Sequence, residues 1–534
     1  MASTQQNAVA INRPRTGVQP RALLLAAISG VLQVVIFPSA DLSFLCWIAV
    51  LPLLLALVQA RSDGRSCVPA TPGQGFLLGY ITGLIWSLGA CYWIYDVMHN
   101  YGGLQGVVAA GVVVLFSLAM AFSWAVFGLV MALLAGGRLK DKAILLAPFV
   151  WVITEMLRGF PFDFRWEPLG TVLVNNIPLS RLATVTGVYG LSFEIVAVNV
   201  AFAAALIVRG RRRTVLLATC IISVGALESG NLLQPPRIPA NGTARLVQSN
   251  IPILAGEQWS QGYFDQTMKD LADLSIPQPG QADPTQPPVD LIVWPETPAP
   301  FFIKDPRFRS AVSDIARRAH AAVIVGSLGL PTPPQGDELY NSAAIIAPDG
   351  TCGARYDKIH LVPFGEYVPF KQLLGFANSL THEVGDFIPG RQRNVLRADN
   401  LAAGVFICYE SAFPDEIRQF AANGAQLFVN ISDDAWYGDT SAPWQTLQQT
   451  RMRAIEDRRW VLRSTNSGIT TVIDPFGRVL DTAPRDRRTY IDVPYSLEPS
   501  TTFYTRHGNW FVWLCGIISV VALVATFLPR PRKS

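Results

Sequence analysis

The chain carries eight apolar runs, seven of them within its first 230 residues and one close to its end, with a long hydrophilic stretch between. They lie at roughly 22–37, 43–59, 75–95, 104–135, 143–158, 185–208, 213–228 and 509–528. A helix needs about 20 mostly apolar residues to cross a hydrocarbon core of ~30 Å. Lipid offers no partner to a free backbone amide, so such runs must fold as helices. The spacing therefore predicts a multi-spanning α-helical membrane domain with eight transmembrane helices. Charged residues make up only 15%, against about a quarter in soluble domains, and the mean hydropathy is +0.30. The net charge of +4 gathers at the ends of apolar runs, which points to a membrane and away from nucleic acid.

The run at 104–135 would extend roughly 48 Å as one helix, so it reads either as one tilted span or as two short ones. Charge parity favours one. With a single helix there, Arg61, Arg65, Arg138, Lys140, Lys142, Arg209, Arg211 to Arg213, Arg530, Arg532 and Lys533 all lie on the side of the N-terminus. The opposite short loops, 38–42 and 96–103, hold no Lys or Arg. The positive-inside rule then places both termini in the cytoplasm and the hydrophilic segment outside it, in the periplasm of a bacterial cell. Arg13, Arg15 and Arg21 before an apolar stretch ending near Pro38-Ser39-Ala40 resemble a signal peptide, but the spans that follow favour an uncleaved helix. Tyr92, Trp93 and Tyr95, and on the last span Tyr504, Trp510 and Trp513, are expected at the outer membrane interface.

Three parts are expected: 1–242 with seven spans, 243–496 outside the membrane, and 497–534 with the eighth span and a basic tail. In the middle part, short β-branched runs at 245–248, 290–294, 322–325, 343–346, 404–407 and 426–429 read as buried strands. Helices fit near 261–275, 306–320, 412–422 and 443–459, an alternation that indicates layered α/β packing. Pro348-Asp349-Gly350 and Asp474-Pro475-Phe476-Gly477 should close hairpins. The seven cysteines show no CxxC spacing and the five histidines no HExxH, so neither a disulfide framework nor a metal or other cofactor is expected.

Cys408 ends the apolar run Ala403 to Ile407 and is followed by Tyr409-Glu410. A thiol at the end of a buried strand is where an α/β enzyme presents a nucleophile, although free cysteines often only pack. Two other strand ends supply complementary chemistry: Trp294-Pro295-Glu296-Thr297, and the segment Tyr356 to Tyr367 with Lys358 and Glu366. A thiol needs a base to become a thiolate, a role suited to Glu296. Lys358 can lower the thiol pKa and stabilise an oxyanion. Glu366 and Glu410 are expected to orient Lys358 or the base. His360 and Cys352 read as bystanders.

Glu296, Lys358 and Cys408, in that order at separate strand ends, resemble the catalytic triad of the nitrilase (carbon–nitrogen hydrolase) superfamily, which implies an αββα sandwich. With seven spans before and one after, the chain resembles the apolipoprotein N-acyltransferases of bacterial inner membranes. Gln248-Ser249-Asn250-Ile251, Pro363 to Pro369, Asp433 to Asp439 and Arg451 to Glu456 agree with that likeness. The resemblance implies a ping-pong reaction. Cys408 takes an acyl chain from a phospholipid of the phosphatidylethanolamine type, and the thioester passes it to the α-amine of a diacylated apolipoprotein. Trp259, Trp436 and Tyr437 are expected to line the acyl entrance, and Tyr409 to support the three catalytic residues. The apolar segment 369–376, with Phe370 and Leu374, reads as an interfacial lid or as a buried loop. A membrane-anchored amidase with the same three residues is the alternative. A transporter would need more ionisable residues in its spans than Glu155 and Glu194, and the absence of GxSxG disfavours a serine lipase.

Overall fold

The computed structural model describes residues 17–528 except 63–66, 141, 159, 161–163, 253–260, 277–286, 298–300, 332–337, 364 and 368–386. Each apolar run is helical. The N-terminal part holds α1 (Pro20–Val35), α2 (Ser43–Val58), α3 (Pro72–Ala90), α4 (Trp93–Tyr101), α5 (Gly106–Gly136), α6 (Ala143–Met156), α7 (Val188–Ile207) and α8 (Arg211–Leu232). A further helix, Trp510–Phe527, lies near the C-terminus. Of these, α5, α7, α8 and the C-terminal helix are each long and apolar enough to cross a membrane, and α3 with α4 forms a fifth such element if their 50° bend is one broken span. Helices α1, α2 and α6 are shorter, at 10–17 residues. Helix α1 is as long as its apolar run, and α2 and α6 begin where theirs begin and end one and two residues sooner. As expected from charge parity, α5 runs as one 31-residue helix, with only a local irregularity at Ala121.

Helices α3 and α5 approach through small residues. A Cβ on Gly79 would lie 2.0 Å from the Trp124 carbonyl oxygen, and one on Gly128 would lie 2.1 Å from that of Gly75. Close backbone approach of this kind is how apolar helices associate where lipid removes the hydrophobic drive.

The extramembrane part builds two six-stranded sheets from β1 (Gly242–Gln248), β2 (Leu291–Val293), β3 (Ala322–Gly329), β4 (Tyr340–Ile346), β5 (Cys352–Asp357), β6 (Val395–Ala398), β7 (Leu401–Ile407), β8 (Leu427–Ser432), β9 (Val461–Thr465), β10 (Thr471–Ile473), β11 (Val479–Thr482) and β12 (Thr489–Tyr495). Their orders are β12-β1-β2-β3-β4-β5 and β11-β10-β9-β8-β7-β6. Each sheet has three adjacent parallel strands at its centre, β1 to β3 and β7 to β9, flanked by antiparallel pairs. The parallel strands of a sheet therefore end at one edge. Strand β5 reverses twice relative to β3 and ends at that edge as well.

Side chains alternate between the faces of each strand. Leu246, Leu291, Val293 and Ile324 of the first sheet share a core with Val405 and Ile407 of the second. Across that core, Ser464 Oγ donates to the carbonyls of Val247 at 2.7 Å and Val293 at 3.2 Å. Val247, Ile292, Val323 and Val325 face outward, under Leu271 of α9 (Gln261–Ser275) and Phe308 and Val312 of α10 (Pro306–Ala319). Helices α11 (Pro414–Ala422) and α12 (Ala442–Asp457) pack on the second sheet, completing an αββα sandwich.

Helix α12 is also the seat of this sandwich on the membrane helices. Gln445 Nε2 donates to the carbonyls of Ala90 at 3.1 Å and Pro38 at 3.2 Å, and its Oε1 accepts from Trp166 Nε1 at 2.8 Å. Glu456 accepts from the Val188 amide at 2.7 Å, and Arg451 donates to Asn175 at 2.7 Å. This junction also takes three of the six aromatics assigned above to an interfacial belt. Trp93 is buried against Trp166 and Tyr437, Tyr504 is buried, and the Tyr92 hydroxyl accepts from the Ser441 amide. Trp510 donates to the Val185 carbonyl, whereas Trp513 is exposed.

Strands form where the buried runs predicted them, and both turns close hairpins, with Ala347 bonded to Thr351 at 2.9 Å and Asp474 to Arg478 at 3.0 Å. Helix α11 starts later than expected, because Pro414 can only begin a helix. Strand β9 escapes the apolar pattern because Arg463 sits in its middle, fully buried and paired with Asp434 at 2.8 Å.

Replacing Gly79 with Leu should force α3 from α5 and lower stability by about 1–3 kcal/mol or more. Gly111→Ala on α5, where a Cβ meets nothing within 4 Å, should be neutral or gain up to about 1 kcal/mol. Thermal unfolding in detergent compares the two; equal melting temperatures would refute the seam.

Candidate active site

Cys408 stands immediately after β7, as the first residue of a 3₁₀ turn, with φ of +52°. That left-handed conformation is unusual for a residue with a side chain, and it turns the thiol off the strand end into the site. Cys408 is 6% exposed. Its sulfur is hydrogen-bonded with Ser432 and with Tyr437.

Glu296 follows β2, and its segment folds closely over β3: a Cβ on Gly326 would lie 2.4 Å from the Pro295 carbonyl and from the Thr297 amide. Lys358 follows β5 and is 1% exposed. Its Nζ donates to Glu296 Oε1 at 3.3 Å and to Glu366 Oε1 at 3.0 Å. Asn341 Nδ2 bridges the same two carboxylates at 2.7 and 2.8 Å. The Asp433 amide holds Glu296 Oε2 at 2.9 Å, and the Val362 amide holds Glu366 Oε2 at 2.8 Å. Burial works to lower the Lys358 ammonium, but Glu296 and Glu366 outweigh it and hold its pKa above the ordinary value. Burial and the Glu296 carboxylate push the Cys408 thiol up to about 12, against the pull of Lys358.

Glu410 does a different job from the one expected of it. It makes no hydrogen bond to Lys358 or Glu296. Its Oε2 accepts from the Ile407 amide at 2.7 Å, while Oε1 accepts from the Ile359 amide at 2.7 Å, the His360 amide at 3.2 Å and the Tyr356 hydroxyl at 2.7 Å. One carboxyl thus fastens the Cys408 turn to the Lys358 loop.

Tyr409 turns away from the strand end and stacks on Phe164 and Trp166, with centroids at 5.8 and 6.3 Å. Tyr437 meets Trp93 edge-on at 5.2 Å, and Trp436 meets Tyr101 of α4 at 5.7 Å. The residues beside Cys408 therefore face aromatic side chains carried by the membrane helices and their connections. Trp259, Phe370 and Leu374 lie outside the described residues. His360 stacks on Phe413 at 3.8 Å and stays outside the lysine–carboxylate cluster. Among the described residues no group of His, Cys, Asp and Glu is arranged to hold a metal ion.

Residues 243–499 match the family described as carbon-nitrogen hydrolase, and residues 29–201 match the apolipoprotein N-acyltransferase N-terminal domain. An apolipoprotein N-acyltransferase of Geobacter metallireducens is 35% identical over 96% of each chain. One from Methylococcus capsulatus is 32% identical over 94% of this chain and 95% of that one. The chain belongs to the apolipoprotein N-acyltransferase family. Among solved structures, an amidase from Nesterenkonia sp. aligns at 21% identity and a TM-score of 0.37, covering 52% of this chain and 97% of that one.

In this family member the site includes two residues that the sequence reading left out. Asn341 opens β4 as a polar residue in a buried strand, a weak signal for a site group. Asp433 lies in a motif noted above but carried no assigned role.

The raised thiol pKa keeps Cys408 protonated through neutral pH, since a raised pKa favours the neutral form until pH passes it. Iodoacetamide should label the exposed Cys352 first, and Cys408 labelling should still be rising at pH 10; a plateau near pH 8, followed by peptide mass mapping, would contradict this. Glu410→Ala should abolish turnover and destabilise the protein, with each lost charge-assisted bond costing about 1.5–3 kcal/mol. Thermal melting and turnover measured together test this, and a variant with full activity would remove Glu410 from its structural role.

Proposed function

We propose that the chain transfers a fatty acyl group from a membrane phospholipid to the α-amine of a diacylated apolipoprotein, through a thioester on Cys408. The observation that carries this reading is a buried thiol within the field of the Glu296–Lys358–Glu366 cluster, in a sandwich seated on the apolar helices. The names borne by relatives that cover nearly the whole chain support the same donor and acceptor classes.

In the first half-reaction Glu296 takes the thiol proton and the sulfur attacks the ester carbonyl. Lys358, held cationic by its two carboxylates, stabilises the oxyanion. Glu296 then protonates the departing lysophospholipid. In the second, the neutral amine attacks the thioester, Glu296 takes one N–H proton from it, and that proton passes to the sulfur as the C–S bond breaks. The near-complete burial of Cys408 keeps water from competing for the thioester. Phosphatidylethanolamine is the proposed donor type. Trp436 and Tyr437, with Trp259, Phe370 and Leu374, are proposed to border the acyl path.

The protein is proposed to cross the bacterial inner membrane eight times, with residues 243–496 in the periplasm and both termini in the cytoplasm. Two observations favour that topology. Loops 38–42 and 96–103, which lack basic residues, meet the α/β sandwich through Pro38 and Tyr101. Gly137, beside Arg138, packs on Thr526 near the far end of the C-terminal helix. The extensive junction on α12 favours acyl transfer between lipid-borne substrates over an anchored amidase for small soluble amides.

Intact-mass measurement after incubation with phospholipid tests the proposal. One fatty acyl adduct should form, be absent in Cys408→Ala, and leave when a diacylated lipopeptide is added. Folded protein that turns over without any adduct would defeat the thioester route.

A further inference from the structure

Asp433 follows β8, so its carboxyl rises from the same sheet edge as Cys408. The acylation chemistry leaves that carboxyl unused. Its Oδ1 accepts from the Ala435 amide at 3.1 Å and from Asn466 Nδ2 at 3.2 Å. Asn466 is in turn fixed by Ser249 Oγ at 2.7 Å and by the Ile251 amide at 2.8 Å. Three loops therefore set where the half-buried carboxyl stands.

Charge accounting gives this position its interest. Lys358 serves Glu296 and Glu366, and the neighbouring Asp434 is matched by Arg463. Among the described residues no Lys, Arg or His forms an ion pair with Asp433. The titratable groups that face it are Glu296 and Asp434 from the sandwich and Tyr101 from α4 on the membrane side. Among the described residues Asp433 thus stands beside other carboxylates without a cation of its own. The ligand chemistry that answers it is a primary ammonium, which the acceptor's N-terminus carries and an ethanolamine headgroup also carries.

We propose that the Asp433 carboxylate binds the α-ammonium of the incoming acceptor and takes one proton from it before attack on the Cys408 thioester. This rests on the acyl-transfer reading given above. The neutral amine forms the C–N bond at the thioester carbonyl, and Glu296 accepts a second N–H proton. The C–S bond then breaks, Glu296 returns that proton to the sulfur, and Asp433 releases its own to water. Burial and the nearby Glu296 carboxylate raise the Asp433 carboxyl to about 7, close to the range where an α-amine titrates.

Asp433→Asn is nearly isosteric and keeps an oxygen for the Ala435 and Asn466 hydrogen bonds while removing the charge. The full-length variant is loaded from phosphatidylethanolamine or from phosphatidylglycerol nanodiscs, then discharged with a diacylated lipopeptide or with hydroxylamine, which is uncharged at neutral pH. Adducts are expected from both donors, with wild-type discharge to hydroxylamine and transfer to lipopeptide slowed about tenfold or more. Wild-type transfer should fall as pH drops through about 7, whereas Asp433→Asn, left with only the free amine, should already fall as pH drops through the amine's own range of about 8. Asp433→Glu, which keeps the charge, should retain part of both; loss of both with normal hydroxylamine discharge would count against the charge. Equal lipopeptide transfer by Asp433→Asn and wild type would overturn the proposal. So would slower loading from the ethanolamine donor alone, which would assign the carboxyl to the headgroup, or loss of adduct from both donors, which would assign it to Glu296. Failure of the wild type to form an adduct would instead overturn the thioester itself.

Discussion

Lys358 is almost wholly withdrawn from water, and an ammonium in that position is tolerated only where anions and acceptors replace its hydration. Glu296 and Glu366 meet it, and each of those carboxylates is itself held by a backbone amide and by Asn341. The three charges are therefore a single object. Removing one member strands the others, so the loops after β2 and β5 and the segment around Glu366 must all arrive before any of them is stable. The geometry at the thiol follows from that requirement, because the same loops set what Cys408 faces.

Glu410 extends the logic to the other sheet. It spans from the end of β7 to the backbone after β5, which makes the position of Cys408 a function of the lysine loop rather than of its own strand alone. Two sheets that meet only through apolar side chains could slide; a carboxyl that gathers three amides and a hydroxyl cannot. Arg463 with Asp434 plays the corresponding part inside the second sheet, where a strand carries its ion pair into the core.

Much of this organisation could be read from residue patterns, and the exceptions share a cause. Buried runs located most central strands, because parallel strands covered on both faces are continuously apolar. Basic clusters gave the single helix at 106–136. Strand β9 was hidden by Arg463, whose partner is 29 positions away in sequence. Trp93 and Tyr504 looked like interfacial anchors and turned out to be packing residues, since composition cannot tell headgroups from a protein surface. The roles of Asn341, Asp433 and Glu410 depend on contacts made only after the sandwich closes. Glu296 and Lys358 were legible because each sits just beyond a strand end.

Helix α12 has few polar side chains that reach solvent, although its sequence is not that of an apolar helix: Gln445, Gln448, Gln449, Arg453, Glu456 and Asp457 are all buried. One side of it completes the sandwich and the other completes the helical bundle. Neither half of the molecule therefore owns its own boundary. A catalytic portion cut free of its helices would expose a row of amides and carboxylates evolved for protein rather than for water, which marks this enzyme as a poor candidate for dissection into independently working pieces.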